Sequence, residues 1–137
     1  MHGAVQLSLS PTGPGARVAG RYVLEQTLQW YGLGECWLAH APELGTRVVV
    51  KLLGPCLGAE PAAFASLSAN LRGLTVPYVV PVIDGGVHEG RLFLVTEFHD
   101  GRMLARWLAG HKESRSKPFG SVVQPIFEAI CTAVEAA

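Results

Sequence analysis

The chain has 137 residues, of which 49% are hydrophobic, so it can build one modest core: one domain, or one domain plus part of another. Eleven basic and eleven acidic side chains give a formal net charge of zero, which argues against nucleic acid as a partner. Charged residues make up only 16% of the chain, which favours a surface that another polypeptide covers.

The start of the chain is rich in glycine and proline and shows little apolar periodicity, which predicts a flexible tail over 1–20. It lacks the basic start and apolar run of a signal peptide. No stretch approaches the ~20 apolar residues that cross a bilayer. Cys36, Cys56 and Cys131 lie far apart, and the histidines are scattered without metal-ligand spacing. These patterns predict a cytoplasmic chain without a metal site.

Three strand candidates follow in chain order, with order expected to begin at Arg21. The segment 22–28 predicts the first strand, and a glycine-containing turn separates it from a second strand over 36–39. A β-branched run over 48–50 then ends in Lys51. Two antiparallel hairpins are the simplest arrangement of these segments.

A helix and two further strands are predicted next. Pro61 suits the first position of a helix, and apolar residues then recur at helical spacing up to Pro77. The members of this apolar stripe are Phe64, Leu67, Leu71 and Leu74. The segments 79–83 and 92–98 predict two more strands joined by a polar turn.

The remainder of the chain is predicted to be helical, with a short helix over 103–109, a polar loop over 111–117 and a long final helix. The long helix has one broad apolar face, formed by Val122, Val123, Ile126, Phe127, Ile130 and Val134. Such a face is too wide for a solvated helix, so we expect it to mediate self-association or to bind a protein partner.

In this order of elements the chain resembles the bacterial members of the eukaryotic-like serine/threonine protein kinases. The segment RYVLEQTLQWYGLGECWLAHAPELGTRVVVKLL is similar to the first three strands of these kinases. The segment PYVVPVIDGGVHEGRLFLVTEFHDGRMLARWL is similar to their next two strands, the hinge and the helix that follows it. The resemblance implies an α+β fold. A kinase-like N-terminal lobe of five antiparallel strands and one helix would occupy 21–100, and the first two helices of a truncated C-terminal lobe would occupy 101–137.

The same resemblance implies a nucleotide site. It identifies Lys51 with the family's third-strand lysine, which contacts the α- and β-phosphates of ATP. Thr96 would guard the back of the adenine pocket. The hinge would be formed by Glu97, Phe98 and His99. Val50 and Leu94 would line the pocket roof or simply belong to the core.

Two features of that nucleotide site depart from the family pattern. Only Gly34 of the G-x-G-x-x-G turn is present, because Gln29 and Tyr31 stand at the first two glycine positions, so a plain hairpin turn is expected. The position of the helix glutamate that pairs with the lysine falls near Leu67. The family uses ATP with magnesium, but we expect nucleotide binding by this chain to be weak or absent.

Catalysis in the family needs an aspartate base, an asparagine and a magnesium-binding aspartate after the hinge. This chain has two aspartates, Asp84 and Asp100, and one asparagine, Asn70. We therefore expect no catalytic residue and no kinase activity in the chain alone. Three interpretations stay open: a pseudokinase-type interaction module, a fragment of an active kinase whose catalytic loop lies beyond residue 137, and a small α+β domain outside the family.

Overall fold

The computed structural model describes residues 12–28, 34–53, 61–102, 104–111 and 119–136. Its elements in chain order are β1 (Arg17–Val18), β2 (Tyr22–Leu28), β3 (Gly34–Ala41), β4 (Thr46–Leu53), α1 (Pro61–Leu71), β5 (Val82–His88), β6 (Arg91–Glu97), α2 (Leu104–His111) and α3 (Phe119–Ala136). Within these ranges, no helix combines the length and the apolar character needed to traverse a bilayer.

All the strands pair antiparallel in one sheet, in the order β1-β2-β3-β4-β6-β5. The α+β fold is as expected, but the sheet has six strands rather than five. The added strand is β1, in which Arg17 pairs with Val23 and Val18 with Tyr22. Val18 is only 1% exposed and completes the core, so the sheet begins before Arg21. A strand of two residues among glycines is too short to show a hydrophobic period, which is why β1 was not predicted from the sequence.

The sheet is strongly curled. In the strand order, β2 and β5 are four inter-strand spacings apart, which is about 19 Å in a flat sheet. Yet the hydroxyl of Tyr22 on β2 lies 2.7 Å from a carboxylate oxygen of Asp84 on β5. The backbone N–H of Ala19 likewise donates to Nδ1 of His88 on β5, at 3.2 Å. The two sides of the sheet therefore meet and enclose an interior.

The interior is filled by alternate residues of the strands, as a curled sheet with one buried face requires. On β4 the buried positions are Val48, Val50 and Leu52, each at most 1% exposed. Their partners in the same cluster are Val18, Tyr22, Leu24, Trp37, Ala39, Ala41, Phe93 and Val95. This core fixes which side of every strand remains available for a site.

Helix α1 lies on the outside of the sheet, against β5. Ser68 is its buried residue there, at 1% exposure, and it faces Gly85. A Cβ atom at Gly85 would lie 2.5 Å from the Ser68 Cβ, so the close approach of helix and strand requires glycine at this position. The helix ends at Leu71 rather than near Pro77, because Gly73 adopts a positive φ of 77° that stops helical backbone.

Candidate functional site

The position of Lys51 is set by strand β4. Successive side chains of a strand point to opposite faces, so Lys51 and Val49 share the face turned away from the core that holds Val48 and Val50. Lys51 is half-buried among neighbouring strands. The strand thus presents one ammonium group on the outer side of a rigid sheet.

The neighbours of Lys51 on that face follow from the strand register. Lys51 pairs with Cys36 on β3 and with Leu94 on β6, and Cys36 in turn pairs with Leu28 on β2. Val49 pairs with Leu38 and with Thr96. We call this outer surface the lysine face; its members are Leu28, Cys36, Leu38, Val49, Lys51, Leu94 and Thr96. It is an apolar sheet surface carrying one cation.

Two places were expected for Val50, the pocket roof and the core. Val50 is fully buried in the core, on the opposite side of β4 from Lys51, so it is not a residue of the pocket roof. Leu94 and Thr96 do lie on the lysine face. Cys36 and Val49 were missed, although counting every second residue from Lys51, and one strand across, would have found both.

The thiol of Cys36 reports the electrostatics of this face. Cys36 is buried at 6% exposure, and it is a free cysteine. Burial raises the pKa of the Cys36 thiol, and the charge of Lys51 opposes that rise. Lys51 therefore acts on the neighbouring side chain across the strand pair.

Gly34 has a structural role at the start of β3. It pairs with Leu53, its φ is 127°, and a Cβ atom would overlap the carbonyl oxygen of Leu52. Glycine is therefore required by the close pairing of β3 and β4, whether or not phosphate is bound. Gln29 and Tyr31 of the expected glycine turn lie outside the described residues.

An arginine clamp holds the strand ends beside Lys51. Arg91 donates through Nε to the carbonyl of Leu53 at 3.2 Å and through Nη2 to the carbonyl of Leu52 at 3.3 Å. Its Nη1 pairs with Glu35 at 3.2 Å, and the Arg91 side chain is only 13% exposed. The end of β4 is thus tied to β3 and β6 independently of any ligand.

The predicted hinge follows β6. The backbone N–H of Glu97 donates to the carbonyl of Pro81 at 3.2 Å, so this group is already used within the fold. The carboxylate of Glu97 lies 3.1 Å from the exposed ring of His99. Phe98 between them is half-buried, and Thr96 before them is 8% exposed. The hinge residues are consecutive, and their backbone leaves the sheet beside the lysine face.

Helix α1 contributes no carboxylate to the lysine face, since its sequence from Pro61 to Leu71 contains no acidic residue. Leu67, near the position where the resemblance places the family's glutamate, is 55% exposed. The inward position is taken by the next residue, Ser68.

The most connected charged group in the described part of the chain is Asp84, which the sequence did not single out. Its buried carboxylate accepts from the Tyr22 hydroxyl at 2.7 Å, from Arg21 at 3.3 Å, from Arg72, and from the backbone N–H of Gly85 at 2.8 Å. Burial and the adjacent carboxylate raise the pKa of Tyr22 to about 12. A cavity of about 180 Å³ lies beside these groups.

The Asp84 cluster is best understood as a structural latch. It joins the start of β2, the end of α1 and the edge strand β5 through four hydrogen bonds accepted by the Asp84 carboxylate. Among the described residues, no group of three or more histidine, cysteine or acidic side chains could hold a metal ion.

A second concave surface of the chain is apolar. It consists of the segment 78–80 and one side of α3, and we call it the α3 surface. A groove of about 370 Å³ runs along it, lined by Tyr78, Val79, Ile126, Ala129, Ile130, Ala133 and Val134. Tyr78 is 76% exposed, Val134 70% and Phe127 65%. Val122 and Val123 also belong to α3, but their side chains lie outside the described residues.

The chain is similar to known kinases in sequence and in fold, although it matches no protein-family model. No family model matches the chain. It is similar to the serine/threonine-protein kinase Pkn1 of Myxococcus xanthus, with 27% identity over 121 residues, which is 86% of this chain and 17% of Pkn1.

Kinase domains are among the solved structures that match the chain. The Mycobacterium tuberculosis PknI kinase domain matches with a TM-score of 0.75 and 23% identity, over 92% of this chain and 51% of that one. A double-mutant form of the same domain matches with a TM-score of 0.78 and 22% identity over the same shares of the two chains. The chain thus spans about half of the PknI kinase domain and a small part of Pkn1. In fold the chain is similar to about half of a bacterial kinase domain, and in sequence it is similar to part of a bacterial serine/threonine-protein kinase.

Proposed function

We propose that this chain serves as a pseudokinase-type interaction module, which binds a protein and does not transfer phosphate. The observation that carries the proposal is the composition of helix α1, which contains no acidic residue from Pro61 to Leu71. The glutamate of the family's lysine–glutamate pair therefore has no counterpart on this helix.

Two further observations support the proposal. The buried residue of α1 that faces β5 is Ser68 and not a carboxylate. Gly34 is explained by the close pairing of β3 and β4, without a bound phosphate. These features leave the lysine face as a scaffold surface.

The interaction side of the proposal rests on the α3 surface. Large apolar side chains there are more exposed than a solvated surface favours, and a contiguous patch of this kind marks an interaction site. Each large apolar side chain that becomes fully buried contributes roughly 1.5–3 kcal/mol. Several together would exceed the free-energy cost of association.

The proposal is tested by assaying the purified 137-residue chain with labelled ATP, magnesium and a generic protein substrate. We expect no transfer above a control without protein. The matched control is Lys51→Ala, which removes the phosphate-contacting cation of the resemblance. Transfer by the wild type that Lys51→Ala abolishes would overturn the proposal.

The alternative is that the chain is part of an active ATP-dependent serine/threonine kinase whose catalytic loop lies beyond residue 137. The observation that favours it is the intact lysine face, where Lys51, Leu94 and Thr96 share one surface. Calorimetric titration with Mg-ATP separates the two functions. Tight binding that Lys51→Ala abolishes would support the alternative, whereas weak or absent binding supports the pseudokinase-type module.

A further inference from the structure

The turn between β1 and β2 has a strained backbone. It is closed by the N–H of Arg21, which donates to the carbonyl of Val18 at 3.1 Å. Its two central residues, Ala19 and Gly20, have positive φ values of 52° and 68°. Glycine adopts such a backbone readily, whereas alanine rarely does. The conformation of Ala19 therefore depends on contacts that hold it in place.

The contact that holds Ala19 comes from β5. Its N–H donates to Nδ1 of His88 at 3.2 Å, and we call this meeting of the β1–β2 turn with β5 the seam. Asp84 and His88 are an even number of positions apart on β5, so both point to the same side of this strand. That side of β5 thus supplies two ties, the Asp84 carboxylate to Tyr22 and the His88 ring to Ala19.

The tie at Nδ1 exists in only one charge state of the ring. A backbone N–H can only donate, so Nδ1 accepts with its lone pair, and the ring is neutral with its hydrogen on Nε2. When the ring gains a proton, both nitrogens become donors, and Nδ1 then faces the Ala19 N–H as one donor against another. The His88 side chain is 23% exposed, which lets it exchange protons with the solvent.

The charged groups around the ring do not replace this bond. Oε2 of Glu89 lies 4.0 Å from Nε2, so it favours a proton on the ring but offers no acceptor at Nδ1. Asp84 already accepts four hydrogen bonds. The basic side chains on the adjoining elements, which offer only donors, are Arg17, Arg21, Arg72 and Arg91. Within the described residues, protonation of His88 therefore breaks the tie without forming another.

We propose that His88 is a pH-sensitive tie, which holds the β1–β2 turn against β5 while its ring is neutral and releases the turn when the ring is protonated. Histidine side chains commonly change charge between pH 5 and 8. Release leaves the pairing of β1 with β2 in place but frees Ala19 to leave its left-handed conformation, so that Val18, 1% exposed in the closed form, becomes accessible more often. The tie belongs to the fold and is independent of whether the chain transfers phosphate.

The test is amide hydrogen exchange of the ¹⁵N-labelled wild-type chain, followed by NMR from pH 5 to 8 and corrected for the intrinsic pH dependence of exchange. We expect the protection of the Ala19 amide to fall roughly fivefold or more towards pH 5. The fall should track protonation of the His88 ring, read from its ¹⁵N shifts, which at pH 8 should show hydrogen on Nε2 alone. The amide of Val50 on the central strand β4 should keep its protection throughout.

Two variants separate the acceptor from its titration. His88→Asn supplies an amide oxygen that accepts at every pH, so the protection of Ala19 should be the same at pH 5 and at pH 8. His88→Phe keeps a ring without an acceptor and should show low protection at both. The matched control is His99→Asn, which removes an exposed histidine beyond the other end of β6 and should behave like the wild type. If His88→Phe does not fold, the wild type and His88→Asn decide the matter.

Four results would overturn the tie. Three concern the seam itself: constant protection of Ala19 from pH 5 to 8 in the wild type, a fall of the same size in His88→Asn, or a ring hydrogen on Nδ1 at pH 8. The fourth is a parallel loss of protection at Val50, which would show that acid unfolds the whole sheet rather than releasing the turn.

Discussion

The hydroxyl of Tyr22 donates a 2.7 Å hydrogen bond to the buried carboxylate of Asp84, although 62 residues and four strand spacings separate them. This bond joins the two sides of the curled sheet. The ring of Tyr22 also packs at an angle near Phe93, with ring centroids 6.5 Å apart. The side chain of Tyr22 therefore contributes to the latch through its hydroxyl and to the apolar core through its ring.

Replacement of Asp84 by asparagine should destabilise the fold by about 2 kcal/mol or more, because it removes the buried charge that two arginines and a hydroxyl share. Denaturant unfolding measures the loss as a lower midpoint at unchanged slope. Asp100→Asn is the control, since Asp100 is exposed, and should change the free energy of unfolding by less than about 0.5 kcal/mol. Equal effects of the two substitutions would contradict the latch.

The stability of the wild type should fall at alkaline pH because of Tyr22. Its pKa in the folded chain is about 12, against an ordinary value of 10.0. A raised folded-state pKa means that the stabilisation is complete below pH ~10 and is lost as the pH rises from about 10 to 12, by at most about 2–3 kcal/mol. Tyr22→Phe should cost about 1 kcal/mol at neutral pH and lack this part of the alkaline fall.

The two proteins are compared by denaturant unfolding at several pH values. A gap between wild type and Tyr22→Phe that stays constant from pH 8 to 12 would show that Tyr22 does not titrate as described.

Gly34→Ala should be strongly destabilising, by more than about 2 kcal/mol, because the added methyl group meets the Leu52 carbonyl and the backbone is left-handed. Gly45→Ala isolates the backbone contribution, since Gly45 has a φ of 63° but open space around its Cβ position. It should cost about 1 kcal/mol. Thermal unfolding without nucleotide measures both. If the two variants lost similar amounts of stability, the added methyl group at position 34 would not be in steric conflict with the Leu52 carbonyl.

Alkylation of Cys36 should respond to the charge of Lys51. Lys51→Met removes the charge that holds down the pKa of the Cys36 thiol, so the thiol should titrate at a higher pH and react more slowly at a given pH. Lys51→Arg keeps the charge and should behave like the wild type. Peptide mapping after timed alkylation gives the rates, with the half-buried Cys131 as an internal reference. Equal alkylation rates of Cys36 in Lys51→Met and Lys51→Arg would show that the charge of Lys51 does not act on the Cys36 thiol.

Much of the architecture could be predicted because the strands are long and β-branched. The runs ending at Lys51 and at Glu97 have the composition of buried strands, and both are strands in the structure. Strand β1 could not be predicted, since two residues have no period. The end of α1 was missed because Leu74 continues the apolar spacing, while Gly73 stops the helix by its backbone conformation.

The site was less predictable than the fold. Lys51, Leu94 and Thr96 share a face, whereas Val50 lies in the core on the other side of β4, because successive residues of a strand point to opposite faces. Asp84 gave no local signal, since its partners Tyr22 and Arg21 lie more than 60 positions away. Only the closure of the sheet brings them together.

The contact between Ser68 and Gly85 also fixes the rotation of α1. A helix advances by about 100° per residue, so position 67 is held towards solvent as long as position 68 faces β5. A glutamate introduced at Leu67 would therefore stand in water. A carboxylate at position 68 would need more room than the contact with Gly85 leaves, so residues on the helix and on the strand can change only together.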